Sequence, residues 1–349
     1  MKRRTFLMKS VLGVGGLAGV ATAGLAKADA TIGGDDNSGP SIGLKDTVGR
    51  PVRITSISFA NGLPLEEIVR HVDKAGAAHV DVIALPETCR GQKENTQEDL
   101  NGPTLKAMAA LAKKHNTYIL CPIDRRSGTS RLNTAVLLDR NGKVACLYNK
   151  VFPYWAEFDL RPPVDVGQEA PVYPADFGKI GLAICFDVNF PEVWKRLADQ
   201  GAELVLWPSA YSAGTSLQAH AINHHYYIVS TTLTRDCLVY DITGEKMHYS
   251  KSKHVNVATV TLDLDRGLCH ENFNLAGRDK LLKQHAADIE QDKSLELEQW
   301  FVLKAKRPGV SARRLAKEYG LEELRHYLDR SRRSIDERLG GEFATRVRS

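Results

Sequence analysis

The 349-residue chain carries 47 Lys/Arg against 42 Asp/Glu and is 43% hydrophobic. That is enough apolar content for one large globular domain or two modest ones, without the Gly/Pro excess of a fibrous or disordered chain. The formal charge of +5 sits in the first 28 residues, where Lys2, Arg3, Arg4, Lys9 and Lys27 stand without an acid; the remainder balances 42 bases against 42 acids, so its charge gives no reason to expect nucleic acid as a partner.

The first residues read as a leader. Arg3-Arg4-Thr5-Phe6-Leu7 precedes an apolar, Gly/Ala-rich run from Val11 to Ala26, and Ala26-Lys27-Ala28 offers a small-x-small cleavage site. This is the three-part pattern of a secretory signal, and the paired arginines resemble the twin-arginine signal that exports folded proteins. The lysine usual directly after Leu7 is displaced to Lys9. A retained membrane anchor is the alternative, but a span needs about 20 strongly apolar residues and this run is shorter and diluted by glycine. Residues 1–28 are therefore expected to be a signal peptide, 29–50 a flexible leader, and the exported chain periplasmic or secreted, with no stable membrane span after processing.

From Pro51 onward strands and helices alternate. Val52–Ile57 alternates as a strand, Leu65–Ala78 has helical spacing, and Val80–Leu85 is a short apolar strand ending at Pro86. A helix over Thr104–His115 and a strand over Thr117–Pro122 follow. Strands at Asn133–Leu138 and Lys143–Tyr148 flank Asp139-Arg140-Asn141-Gly142, where Asn-Gly signals a hairpin. Next come a strand at Lys179–Ile184, a helix at Pro191–Gln200, a strand at Leu204–Trp207, a helix at Ser216–His225 and a strand at Tyr227–Thr232. A turn near Gly244 leads to a last strand at Asn256–Leu262. The pattern predicts a layered α/β domain over 51–264.

Residues 265–349 read as a charged helical C-terminal extension. The last 49 residues hold 13 Lys/Arg and 7 Asp/Glu, with helices expected at Ala312–Tyr319 and Glu322–Arg333 around Gly320. The spacing is faintly that of a helix-turn-helix, but an exported protein has little access to DNA, so a solvated extension packed on the core or a second subunit is the simpler reading. Cys89, Cys121, Cys146, Cys185, Cys237 and Cys269 include no CxxC pair, so no zinc ribbon or thioredoxin-like site is written here. Cys121 and Cys146 sit in strand-like apolar runs, as buried core sulfurs do.

Three residues fall at or just beyond strand ends, where sites gather in layered α/β folds: Glu87 after Ala84-Leu85-Pro86, Lys150 after Leu147-Tyr148-Asn149, and Cys185 after Gly181-Leu182-Ala183-Ile184. A thiol needs a base to take its proton and a cation to stabilise the charge it generates. A carbonyl oxyanion would be met by the ammonium and by the backbone N–H of Phe186, next after the nucleophile.

Leu85-Pro86-Glu87-Thr88, Tyr148-Asn149-Lys150-Val151-Phe152-Pro153 and Gly181-Leu182-Ala183-Ile184-Cys185-Phe186-Asp187 with Phe190-Pro191-Glu192 resemble, in order and spacing, the three signature blocks of the nitrilase superfamily of carbon–nitrogen hydrolases. The resemblance covers 51–264. It implies a four-layer α-β-β-α sandwich and a Glu-Lys-Cys triad, with Glu87 as general acid/base, Lys150 as oxyanion stabiliser and Cys185 as nucleophile. It also implies no cofactor or metal, and a homo-oligomer. Glu157 is the nearest match to the family's supporting glutamate, with an ordinary surface carboxylate as the alternative. Tyr211, after the Trp207-Pro208-Ser209-Ala210 loop, faces substrate or is a packed aromatic. Cys185-Phe186-Asp187 departs from the Cys-Trp-Glu of nitrilases and stands closer to the amidase and carbamoyl-amide branches.

His220 and Asn223 stand where the family often has arginine and glutamate, which puts the substrate class in doubt. His220 and His224, four apart, could share a helix face and bind metal, but no third ligand is placed and an ordinary polar helix face is expected. Two functions follow: an exported hydrolase of a small amide acting through a Cys thioester, or a catalytically silent binding or scaffold protein on the same fold.

Overall fold

Val52, Ile54 and Ile57 are wholly buried in the strand that founds the first sheet, β1 (Pro51–Ser58). The computed structural model describes residues 47–341; the expected signal and all but the last four residues of the leader lie outside them. After β1 come α1 (Leu65–Gly76), β2 (Val82–Ala84), α2 (Pro103–His115) and β3 (Tyr118–Ser127), then β4 (Ser130–Leu138) and β5 (Val144–Asn149). The chain next makes β6 (Val172–Ala175), β7 (Gly178–Leu182), α3 (Pro191–Asp199), β8 (Leu204–Ser209), α4 (Gly214–His224), β9 (Tyr227–Thr232), β10 (Asp236–Tyr240) and β11 (Lys246–Lys251). It returns through β12 (Asn256–Asp263) to pair antiparallel with β1, Pro51 opposite Asp263 and Ser58 opposite Asn256.

Two six-stranded sheets result, ordered β12-β1-β2-β3-β4-β5 and β11-β10-β9-β8-β7-β6. In the first, β1, β2 and β3 are parallel and the outer pairings antiparallel. In the second, β7, β8 and β9 are parallel and the outer pairings antiparallel. The unit β-α-β-α-β followed by two antiparallel strands therefore occurs twice, as β1 to β5 and as β7 to β11. Its length is far beyond any short sequence period, which is why composition does not reveal it.

Side-chain alternation makes the layers. On β3, Ile119, Cys121 and Ile123 pack with Ile68 and Val72 of α1 and Leu105 and Met108 of α2. Tyr118 and Leu120 face the other way, into a core shared with Ile180 and Leu182 of β7 and with Val193, Trp194 and Leu217 of α3 and α4. Helices thus cover the outer face of each sheet, giving the expected four-layer α-β-β-α sandwich. Among the described residues no helix is long and apolar enough to cross a membrane.

The extension is not purely helical. It holds β13 (Gly267–His270), α5 (Leu275–Gln284), β14 (Ile289–Leu295), β15 (Trp300–Ala305), α6 (Ala312–Glu318) and α7 (Leu324–Leu339), with the strands in a separate sheet ordered β13-β15-β14. Charge hid one of these strands: on β14 (IEQDKSL) only Ile289 is buried, so apolar alternation is absent. The extension has a small core of its own, including Leu281, Phe301, Leu303 and Leu315. Leu268, Val302 and Leu324 join the main core. Arg313 bridges Glu203 at 2.7 Å and Glu323 at 2.6 Å, and Arg266 bridges Asp292 at 2.7 Å and also pairs with Asp241. It is fastened to the core, as one of the two expected placements had it, but with strands the sequence did not suggest.

Candidate active site

The ends of β2, β5 and β7 bring the three sequence-marked residues into one buried volume. Glu87, Lys150 and Cys185 are 4%, 1% and 6% exposed. The Lys150 ammonium donates to Glu87 Oε1 at 2.7 Å and to Glu157 Oε2 at 2.6 Å. Glu157 is thus at the site, not on the surface. It sits on a 3-10 turn (Trp155–Asp159) and accepts from four donors: Lys150, the Asn133 amide (2.8 Å), the Gln92 amide (2.8 Å) and the Tyr154 backbone N–H (2.8 Å). Asn133 also donates to Glu87 Oε1 at 2.8 Å, so one amide ties the two glutamates together.

The electrostatics follow from this crowding. Burial works against the Lys150 ammonium, but Glu87, Cys185 and Glu157 outweigh it and raise its pKa, so the lysine stays charged. Burial likewise opposes the Glu157 carboxylate, and Lys150, Asn133 and Gln92 together hold its pKa below the usual range. The Cys185 thiol is pushed the other way. Burial and then Glu87 raise its pKa, with Lys150, the Ser209 hydroxyl and the Ala210 backbone N–H only partly compensating.

The backbone at Cys185 is unusual. β7 ends at Leu182, earlier than the apolar run suggests, because Cys185 opens a 3-10 turn (Cys185–Asn189) at φ +45°. Thr88, directly after Glu87, has φ +38°. Side chains other than glycine seldom occupy this region, and such strain clusters at functional sites. Phe186 holds one of the first N–H groups of the turn, which helical pairing leaves unused.

Asp187, wholly buried, anchors the turn from below. It accepts from the Tyr148 hydroxyl (2.6 Å), the Ile184 N–H (2.8 Å) and the Phe152 N–H (2.9 Å). Burial lifts its pKa to about 6 against these three donors. Tyr211 is 36% exposed, edge-on to Trp207 with ring centres 5.8 Å apart, and its backbone N–H donates to the Ser209 hydroxyl at 3.0 Å. Its ring is packed against Trp207, as one of the two sequence readings had it.

His220 and His224 do not form a solvated polar face. Their rings lie parallel, 6.0 Å apart, in a column with Trp194 on one side (4.2 Å from His220) and Tyr226 on the other (5.6 Å from His224). His220 is 8% exposed, because α4 turns this face onto α3. Its Nε2 is committed to the Val188 carbonyl at 2.8 Å. Asn223 is exposed. Among the described residues no three His, Cys, Asp or Glu side chains converge as a metal site.

Asn133, Gln92 and Asp187 were missed as partners by sequence reasoning. A polar Asn133 at the head of the apolar Thr134–Leu138 run is the one local signal that could have found a member of the set.

A buried thiol, carboxylate and ammonium at strand ends of a four-layer sandwich define a class of hydrolytic site. A carbon-nitrogen hydrolase family profile matches residues 63–267. The deaminated glutathione amidase of Synechocystis is 30% identical over 199 residues, which cover 49% of this chain and 71% of that one. The N-carbamoylputrescine amidase of Arabidopsis thaliana is 30% identical over 179 residues, 46% of this chain and 59% of that one. Among solved structures, Saccharomyces cerevisiae Nit3 superposes with a TM-score of 0.54 at 17% identity, covering 66% of this chain and 95% of that one. An amidase from Nesterenkonia sp. gives 0.55 at 20% identity over 63% and 93%. The chain belongs to the carbon-nitrogen hydrolases of the nitrilase superfamily.

Proposed function

We propose that the protein is an exported amidase that cleaves a small non-peptide amide or N-carbamoyl compound through a thioester on Cys185. The observation that carries this reading is the Lys150 ammonium held at 2.7 and 2.6 Å between Glu87 and Glu157 beside a thiol in a left-handed turn. Burial and Glu87 favour the neutral thiol, so attack and deprotonation go together. Glu87 takes the Sγ proton as the S–C bond forms, and the carbonyl oxygen, now negative, is met by Lys150 and the Phe186 N–H. Glu87 returns the proton to the departing nitrogen as the C–N bond breaks. A water, deprotonated by Glu87, then attacks the thioester; the C–S bond breaks, the acid leaves and the thiol regains its proton. Glu157 keeps the ammonium oriented and charged. Tyr211 borders the acyl pocket.

The relatives named amidases support amide over nitrile chemistry, as does Cys185-Phe186-Asp187. The test is a product-release screen against amides, ureas and nitriles. Ammonia or amine is expected from at least one amide and none from Cys185→Ala. No release by the unmodified protein across the panel overturns the reading and leaves the silent binding protein in its place.

Export rests on Arg3-Arg4 and the apolar run that follows. Replacing both arginines by lysine is expected to hold the chain in the cytoplasm in cell fractionation. Self-association is expected too: Leu328, Ile335 and Leu339 of α7 are 40%, 52% and 57% exposed, and light scattering should report more than one chain per particle.

A further inference from the structure

The nucleophile turn is held by its carbonyls. The Trp207 indole Nε1 donates to the Cys185 carbonyl at 3.2 Å, the Asn189 amide to the Phe186 carbonyl at 3.1 Å, the Trp194 indole Nε1 to the Asp187 carbonyl at 2.9 Å and His220 Nε2 to the Val188 carbonyl at 2.8 Å. Four successive carbonyls are engaged by side chains. Three of the donors are ring N–H groups carried on three different elements, β8, α3 and α4. A carbonyl can only accept, so His220 must carry its proton on Nε2. Its Nδ1 is buried without a partner in the structure, so this is the ring's one hydrogen bond, beside its stacks on Trp194 and His224.

A peptide unit is planar, with its C=O and N–H pointing in opposite directions. The C=O of Cys185 and the N–H of Phe186 belong to one such unit. Fixing that carbonyl on Trp207 therefore fixes the direction of the Phe186 N–H. Cys185 is at a strained φ, so this peptide needs an external hold to keep one orientation. Trp207 and Trp194 are wholly buried, and an indole has one donor and no acceptor, so each indole N–H needs an acceptor there; the turn's carbonyls supply it.

We infer that Trp207, Trp194 and His220 are positioning residues that clamp the nucleophile turn by its carbonyls and aim the Phe186 N–H at the oxyanion position, Trp207 acting on that peptide directly. The inference rests on the reading of Cys185 and Phe186 given above. The hydrogen bond each ring makes is to a backbone carbonyl of the turn.

Trp207→Phe keeps the ring and removes the N–H. Its kcat should fall at least about ten-fold and up to about 1000-fold, the size of losing an oxyanion donor outright, while KM changes less than about three-fold. Trp194→Phe and His220→Ala should fall less, and His220→Gln, which keeps an N–H donor, should recover most of the His220→Ala loss. Unchanged kcat in Trp207→Phe, a loss confined to KM, or a Gln variant no better than Ala overturns the clamp. If Trp207→Phe does not fold, the Trp194→Phe and His220 series decides on the same criteria. A second readout needs no turnover: deuterium uptake across 185–190 should rise in each donor-deleted variant, and equal uptake overturns the clamp. An inactive parent protein would bring down the amidase reading while leaving that exchange test intact.

Discussion

Cys185 and Glu87 lie in one buried volume with the Lys150 ammonium. Because Glu87 helps to raise the thiol pKa, removing its charge has opposite effects on two measurable rates. Glu87→Gln should lose amide hydrolysis by about 100- to 10,000-fold, the usual range for general acid–base catalysis. The same variant should be alkylated at Cys185 by iodoacetamide faster than the parent at pH 7 to 8, since Lys150 now acts on the thiolate unopposed. Slower alkylation would contradict the electrostatics described. Asp187 gives a second case. Its folded pKa of about 6 lies above the ordinary 3.8, so its contribution to stability is full below about 3.8 and is lost as pH rises through 6. Asp187→Asn leaves one of three surrounding N–H or O–H groups facing a donor, at about 1 to 3 kcal/mol. Urea denaturation should show that deficit to be larger at pH 4.5 than at pH 8.

At the scale of elements, the segment from Lys150 to Gly167 does much of the site's work without regular secondary structure. It leaves β5 at Lys150, carries Glu157 on one 3-10 turn and returns so that the Gly167 N–H donates to the Lys150 carbonyl at 2.8 Å. A Cβ on Gly167 would collide with the Asn149 backbone carbonyl. Gly167→Ala should therefore displace the Lys150 backbone. About 1 to 3 kcal/mol of stability and most of the activity should go, whereas Gly91→Ala, where a Cβ meets nothing, should cost only its backbone strain. A thermal melt and an activity assay on the two variants check this. The elements that feed the site were legible because their strands are apolar and their ends carry Glu87, Lys150 and Cys185. The partners of those residues were not, because Asn133, Gln92 and Asp187 are brought in by register and loop closure, which no local pattern records. The short edge strand β6 was missed for a related reason: it is four residues long, contains Pro174 and is half-exposed.

For the whole molecule, the boundary at residue 264 that the motifs suggest is not a boundary of stability. The extension contributes Leu268, Val302 and Leu324 to the main core. Arg325 donates to the Ala202 and His225 carbonyls at 2.8 and 2.6 Å. A chain ending at Leu264 would expose that apolar surface and take Arg313 from Glu203, leaving that carboxylate only Arg50 and the Lys179 N–H. It should bind a hydrophobic dye and melt without cooperativity, and a soluble, cooperatively folding 47–264 fragment would refute the coupling. The fold class was visible in the sequence because β and α segments alternate plainly. In the extension the two helices were visible but the strands were not: β13 is only four residues long, β14 is half-exposed and charged, and their shared core is built from residues far apart in the chain.

The doubled β-α-β-α-β-β-β unit has a consequence for how the chemistry is shared. Glu87 and Lys150 follow strands of the first copy, and Cys185 follows the first strand of the second copy. Neither copy alone holds all three residues, so on the proposed mechanism a chain cut between the two copies would yield two inert pieces. Activity would return only on complementation, with a yield set by how well the pieces find each other. The reaction centre thus reports on the joining of the two halves, and turnover could serve as a readout of their reassembly.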